Sequence, residues 1–291
     1  TSLISIHNQT QESIWKLPTN GQSVNDPVTT FDTRLGTYSA GKAKVMWVDE
    51  NSILSAEQST DFNNHVAVEL VKRDARTGSV LDSSFRLMAN CWFYFNIDFT
   101  QAACPKSEEN LVEIWSIDKQ DVDFTLPITK VAQIQWSPDN QMLAFLKYSK
   151  QNNSDSDWFV EVIDSHTNQI KLTYKTECCN LPIWSPNSQF IAAPTISQSG
   201  LKLINIIETK TFKTTVTING KEFAWSPNSQ LVAFSTDNDI TFYDPVKDKF
   251  IESDKIKNIA SLAFSSDGAM LALGMDDGTI RIWDIADLMA N

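Results

Sequence analysis

Three features of this sequence predict an all-β repeat protein. A ten-residue motif occurs four times at nearly constant spacing, each copy sits in short apolar runs bounded by turn residues, and no segment carries the 3.6-residue hydrophobic period of a helix. At 291 residues, with 42% hydrophobic and 21% charged side chains, the chain is long enough to bury a sizeable core and is not a disordered tail.

The motif reads Trp136-Ser-Pro-Asp-Asn-Gln-Met-Leu-Ala-Phe145, Trp184-Ser-Pro-Asn-Ser-Gln-Phe-Ile-Ala-Ala193, Trp225-Ser-Pro-Asn-Ser-Gln-Leu-Val-Ala-Phe234 and Phe264-Ser-Ser-Asp-Gly-Ala-Met-Leu-Ala-Leu273. Its aromatic anchors stand 48, 41 and 39 residues apart, which brackets the period of four-stranded propeller blades. Each copy is a strand, a tight turn and a second strand. Proline presets φ at a turn position, and the Asp or Asn after it bonds nearby backbone or tolerates a left-handed conformation. The apolar run that follows, such as Met142 to Leu146, is too short for a helix and suits a strand packed on both faces. A third run ends in Asp, as in Glu161-Val-Ile-Asp164, Thr241-Phe-Tyr-Asp244 and Arg281-Ile-Trp-Asp284, and a fourth alternating run such as Lys171 to Tyr174 or Thr211 to Val216 completes the unit.

In chain order, Ser2 to His7 is strand-like and lies ahead of the first complete unit. Seven units follow, at approximately 12–42, 43–86, 87–126, 131–175, 179–217, 220–252 and 258–285. The first contains Ser13 to Val24 and Val28 to Asp32. The second is headed by Trp47, with Val66 to Val71 as its third strand. The third holds Cys91-Trp-Phe-Tyr-Phe95 and Leu111 to Ser116, and its first turn is not of the Ser-Pro type. The last offers three strands, so residues 2–8 are expected to supply its fourth and close the ring. The expectation is a single domain, 1–291: a seven-bladed β-propeller of four-stranded antiparallel blades, closed by the N-terminal strand.

Asp276-Asp-Gly-Thr-Ile-Arg-Ile-Trp-Asp284 resembles the end of a WD40 repeat, and residues 131–252 are similar to WD40-like and TolB-like propeller repeats through their W-S-P-D motif. The resemblance implies a rigid scaffold that displays loops to protein partners. The chain has no Gly-His dipeptide. Of the Asp-His-Ser/Thr-Trp hydrogen-bond network such blades often use, Asp277 and Trp283 would be the remaining members.

Chemistry is thinly signalled. The net charge of −12 disfavours nucleic acid and anionic lipid as partners, and the longest apolar runs are about five residues against the roughly 18 a membrane span needs. Neither a basic segment nor an apolar stretch of a leader follows Thr1, and the compartment is left open with the cytoplasm favoured. Cys91, Cys104, Cys178 and Cys179 match no zinc spacing. Cys178 and Cys179 read as small hydrophobes. Cys91 and Cys104 are symmetric about a possible turn at Ile97 and Asp98, so they are either cross-strand disulfide partners or free thiols. Asn8 and Asn152 head N-x-S/T triplets at chance frequency. His7, His65 and His166 stand alone, without the nucleophile and orienting group a catalytic histidine needs. Gly36-Thr-Tyr-Ser39-Ala-Gly41 lacks the G-x-S-x-G order, and Gly41-Lys42 and Gly220-Lys221 lack the spacing of a phosphate loop. Asp155-Ser-Asp157 and Asp237-Asn-Asp239 do not extend into a calcium loop. Trp136, Trp184 and Trp225 repeat at blade spacing, as core packing would.

The polar insert Lys150 to Asp157 is the one loop placed to carry recognition. No catalytic, cofactor-binding or metal residue is assigned. The expectation is therefore a non-catalytic, monomeric interaction scaffold for a protein partner, with a periplasmic TolB-like binding component or a propeller hydrolase domain as alternatives.

Overall fold

The computed structural model describes residues 2–7, 11–16, 29–32, 45–49, 51–60, 66–89, 91–149, 157–176, 181–197, 200–236, 239–252 and 255–289. The chain divides into two compact units, Thr1–Gln133 and Ile134–Asn291.

An N-terminal antiparallel sheet contains β1 (Ser2–His7), β2 (Gln11–Lys16) and β3 (Thr29–Asp32) in that order. Blade 1 is β4 (Val45–Asp49), β5 (Ser52–Thr60), β6 (Val66–Asp74) and β7 (Val80–Ala89). Blade 2 is β8 (Tyr94–Phe95), β9 (Gln101–Lys106), β10 (Leu111–Ser116) and β11 (Asp121–Leu126). Blade 3 is β12 (Val131–Trp136), β13 (Met142–Ser149), β14 (Asp157–Asp164) and β15 (Ile170–Thr176). Blade 4 is β16 (Ile183–Trp184), β17 (Phe190–Ile196), β18 (Lys202–Glu208) and β19 (Lys213–Ile218). Blade 5 is β20 (Phe223–Trp225), β21 (Val232–Ser235), β22 (Ile240–Asp244) and β23 (Lys249–Glu252). Blade 6 has three strands, β24 (Ile259–Phe264), β25 (Met270–Met275) and β26 (Ile280–Asp284), followed by one short helix, α1 (Ile285–Met289).

The expected strand–turn–strand units are present, and their second strands are buried on both faces. Leu143 to Leu146, Ile191 to Ala193 and Val232 to Phe234 are all within the core. Clusters of these side chains link neighbouring sheets. Phe190, Ile204 and Ile206 of blade 4 pack with Trp225, Val232, Phe234 and Tyr243 of blade 5. Ala233, Ile240 and Phe242 of blade 5 pack with Ile259, Leu271, Leu273 and Met275 of blade 6.

Three expectations are corrected. Six sheets among the described residues follow the blade plan, not seven. The N-terminal segment expected to form a blade over 12–42 instead joins residues 2–7 in a three-stranded sheet of its own. Among the described residues Ser2–His7 pairs with β2, in register from Ser2 with Lys16 to His7 with Gln11, and closure of the ring by this strand is not shown. A hairpin partner only a few residues away costs less chain entropy to reach than one at the far end. Finally, the boundary placed at residue 87 falls inside β7, which runs to Ala89.

Candidate functional site

Within each blade, the turns from first to second strand and from third to fourth lie on one side. We call this the turn side, and the opposite side carries the second-to-third connections and the links between blades. The turn side is built by one hydrogen-bond scheme. The Ser137 N–H donates to the Met142 carbonyl at 2.9 Å, and the Met142 N–H donates to Ser137 Oγ at 2.9 Å. Ser137 Oγ–H in turn donates to Asp139 Oδ1 at 2.6 Å, which also accepts the Gln141 N–H. The scheme recurs at Ser185 with Asn187, Ser226 with Asn228, and Ser265 with Asp267. The left-handed residue is the one after the Asx: Asn140, Ser188, Ser229 and Gly268, with φ from 59° to 73°.

Blade 2 follows the same scheme without the Ser-Pro sequence. The Asn96 N–H donates to the Gln101 carbonyl at 3.0 Å, and Asn96 Oδ1 takes the place of the serine hydroxyl in accepting the Gln101 N–H at 2.9 Å. Asp98 accepts the Thr100 N–H, and Phe99 is left-handed. The turn expected to differ is therefore the common one, with Phe95 as its anchor.

Neighbouring turns are tied by two serines to which the sequence analysis gave no role. The Asp139 N–H donates to Ser188 Oγ of the next blade at 3.0 Å, and the Asn187 N–H donates to Ser229 Oγ at 3.0 Å. Their signal was the repeated Pro-Asn-Ser-Gln. At the next step the position is Gly268, which carries no hydroxyl. The third-to-fourth turns join the same side. The N–H groups of Ala75, Ile117, Ser165, Thr209 and Ile285 donate to the carbonyls of Asn51, Thr100, Gln141, Gln189 and Ala269. Blade 5 has Pro245 at this position, which has no N–H to give.

The acids that close these turns are held in the charged form. The Thr167 N–H lowers the Asp164 carboxyl below the usual carboxylate range, and the Thr77 hydroxyl does so for Asp74. For Asp244 burial opposes the charge, but the Lys247 ammonium at 2.8 Å and two backbone N–H groups outweigh it.

Of the residues singled out by sequence, Trp136, Trp184 and Trp225 are core residues, between 5% and 7% exposed. The Trp225 indole N–H donates to the Ile183 carbonyl of blade 4 at 3.0 Å. Cys91 and Cys104 are joined in a disulfide, with Cα atoms 5.6 Å apart. The hairpin pairs Tyr94 with Ala103 and Phe95 with Ala102, which moves the turn to Asp98–Phe99, one residue beyond the expected centre. Cys91 lies three residues before β8 and Cys104 within β9, and both lie in the cluster of Phe93, Phe95 and Phe99.

His166 Nδ1 lies 3.1 Å from Ser165 Oγ, a partner the sequence analysis did not foresee. The Ser165 hydroxyl is buried and also lies 3.0 Å from the Asn140 and Gln141 carbonyls, to either of which it can donate, and the His166 nitrogen is donor or acceptor according to its tautomer. Asp277 accepts the Thr279 N–H and hydroxyl at the β25–β26 turn, while Trp283 packs against the blade 5–blade 6 core, so the expected network does not bring them together. Gly220 and Lys221 form a close backbone approach: a Cβ at Gly220 would meet Ile204 Cδ1 at 3.2 Å and the Ser235 carbonyl at 3.3 Å. Asp157 pairs with Lys175 at 2.6 Å. The side chain of His7, and all of Asn8, Ser39, Gly41, Lys42, His65, Asn152, Asp155, Cys178, Cys179 and Asp237, lie outside what is described. No metal-binding cluster of His, Cys, Asp and Glu exists among the described residues.

The opposite side is less uniform. At the far end of blade 3, next to the polar insert, Tyr148 and Trp158 face each other across β13 and β14 with ring centroids 5.7 Å apart, both half-buried. Beside them Lys147 pairs with Glu161 at 2.7 Å. Elsewhere, Asp49, Asn51, Ser52, Lys72, Asp74 and Leu81 line an open depression of about 490 Å³ in blade 1.

Residues 252–284 match the family described as WD domain, G-beta repeat. No curated protein sequence matches the chain. Among solved structures, one titled as the crystal structure of the eukaryotic initiation factor is 13% identical with a TM-score of 0.57, over 97% of this chain and 70% of its own. The crystal structure of the mitotic checkpoint complex contains a chain 14% identical with a TM-score of 0.51, over 98% of this chain and 85% of its own. Hydrazine synthase of Kuenenia stuttgartiensis is 13% identical with a TM-score of 0.47, over 78% and 76%. With a WD repeat over residues 252–284, seated on blade 6, and the same strand–turn–strand plan in the five sheets before it, the chain has a β-propeller fold that carries a WD repeat.

Proposed function

We propose that this propeller is a non-catalytic scaffold, monomeric by itself, that binds a protein partner through the side opposite its turns. What carries this reading is where the polar side chains are used. On the turn side, serines, asparagines and aspartates bond their own backbones and the next blade's turn. On the opposite side, connections vary in length, and a half-buried Tyr-Trp pair sits beside the polar insert. Tyr and Trp supply large contact area at low entropic cost, as interface anchors do. The initiation-factor and checkpoint-complex structures support the scaffold fold alone. Affinity purification from the native source with the wild-type chain and with Trp158→Ala tests the proposal. A specific partner lost in Trp158→Ala is expected. A partner retained equally by that variant, with contacts mapping to the turns, would reverse the assignment of faces.

A second reading, an extracytoplasmic TolB-like binding component, is favoured by one observation: the Cys91–Cys104 disulfide, a bond that persists in oxidising compartments. Alkylation of the protein as isolated, before and after reduction, distinguishes the two. Protection of Cys91 and Cys104 until reduction favours the second setting.

A further inference from the structure

Blades 3, 4 and 5 are built on one plan, so the interface of blade 3 with blade 4 can be compared with that of blade 4 with blade 5, position by position. Met142 pairs with Asp164 in blade 3 as Phe190 pairs with Glu208 in blade 4. In that alignment Tyr174, opposite Val160, stands where Ile218 stands opposite Ile204. Gln135 precedes the anchor Trp136 as Ile183 precedes Trp184, and Trp184 is to blade 4 what Trp225 is to blade 5.

Between blades 4 and 5 these positions form an apolar contact with one hydrogen bond. Ile204, Ile218 and Trp225 lie in one core cluster, Ile183 pairs with Ala192 of that cluster, and the Trp225 indole N–H donates to the Ile183 carbonyl. Between blades 3 and 4 the same positions carry a phenol, a carboxamide and an indole. The two sheets touch there: the Thr176 hydroxyl donates to the Pro194 carbonyl at 3.1 Å, and the Thr195 hydroxyl to the Lys175 carbonyl at 3.0 Å. Tyr174 Oη, Gln135 Oε1 and Trp184 Nε1 are all buried, and among the described residues no hydrogen-bonding group meets them. Trp184 is 5% exposed, and burial raises the Tyr174 phenol far above its usual range, so it stays protonated. A buried donor or acceptor left without a partner is costly, and ordered water commonly meets such groups.

We propose that the interface of blades 3 and 4 is a hydration site, in which ordered water accepts the Trp184 indole N–H, donates to Gln135 Oε1 and meets the Tyr174 hydroxyl. On the inner strands this water does by a bridge what Trp225 does directly with Ile183. The three groups are neutral and include both donors and acceptors, which suits water rather than an ion. The site accounts for polar side chains standing at this interface where isoleucines stand at the next one, because a buried water needs two to four polar partners and Gln135 and Tyr174 add theirs to the indole.

The test uses the full chain. Oxygen-17 relaxation dispersion of the solvent counts waters held for long times in a protein interior. The wild type should hold at least one more than the triple variant Trp184→Phe, Gln135→Leu, Tyr174→Phe, whose melting temperature confirms that it folds. A crystal structure of the wild type should place a water at about 2.7–3.2 Å from both Trp184 Nε1 and Gln135 Oε1. If the triple variant does not fold, that crystal structure decides alone. Equal counts in the two folded proteins overturn the proposal. So does an indole N–H bonded directly to Gln135, or a group from residues 177–180 occupying the site.

Discussion

Trp225 makes three kinds of contact that a repeat anchor must combine. Its ring stacks on Phe190 at 6.2 Å, its edge packs with Val232 and Tyr243, and its indole N–H reaches the backbone of the preceding blade. Replacing it with alanine removes a large buried aromatic, and Trp225→Ala should lower stability by about 3–5 kcal/mol in urea unfolding. Trp225→Phe keeps the stacking but leaves the Ile183 carbonyl without its donor, which costs about 1 kcal/mol for that bond. Ser229→Ala takes the acceptor from the part-buried Asn187 N–H and should cost about 0.5–1.5 kcal/mol. The anchors were legible in the sequence because aromatic residues at blade spacing have few other uses. The serines were not singled out because a hydroxyl is equally at home in a solvated turn, and only the neighbouring blade gives it a donor.

The turn carboxylates also set an acid limit at this scale. Asp164 and Asp74 have folded pKa values below the unfolded ones, so they stabilise the fold wherever they are ionised in both states, above about pH 4. That contribution is lost as pH falls through the depressed folded values. The melting temperature should therefore hold down to about pH 4 and drop below it, and Asp164→Asn should shrink the drop. A melting temperature independent of pH in that range would mean that the turn carboxylates are not coupled to folding.

Blade 2 shows how an element can keep its geometry while changing its sequence. The Ser-Pro turn works by placing an oxygen to accept the N–H five residues on, and Asn96 Oδ1 does this as well as Ser137 Oγ. Asn96→Ser should therefore be nearly neutral, whereas Asn96→Ala strands the Gln101 N–H and should cost about 1–2 kcal/mol, read from the denaturation midpoint. Sequence comparison by identity cannot see this equivalence, which is why the blade looked irregular. The N-terminal sheet was misplaced for a different reason: an alternating run such as Ser2 to His7 specifies a strand but not its partner. The disulfide was left undecided because pairing depends on register, and the hairpin centre is displaced by one residue from the point of symmetry between the two cysteines.

For the molecule as a whole, the all-β character and blade period were readable because turns and apolar runs repeat. The number of blades was not, since the first sheet follows no repeated motif. The candidate binding side was legible only as a polar insert, because the Tyr148–Trp158 pair forms across strands.

Stability in a repeat protein is a sum of unit and interface terms, so damage to one interface should spread to the blades it joins. Within Ile134–Asn291, blades 4, 5 and 6 share two core clusters, and turn-side hydrogen bonds tie blade 3 to blade 4 and blade 4 to blade 5. If these blades open together, Trp225→Ala should speed amide exchange in β17, β21 and β25 by a common factor. A loss of about 3 kcal/mol corresponds to roughly 150-fold. If the interfaces are weak, only β20 and β21 should accelerate. Exchange measured by mass spectrometry separates the two outcomes, and a response confined to blade 5 would mean that its neighbours hold their folds without it.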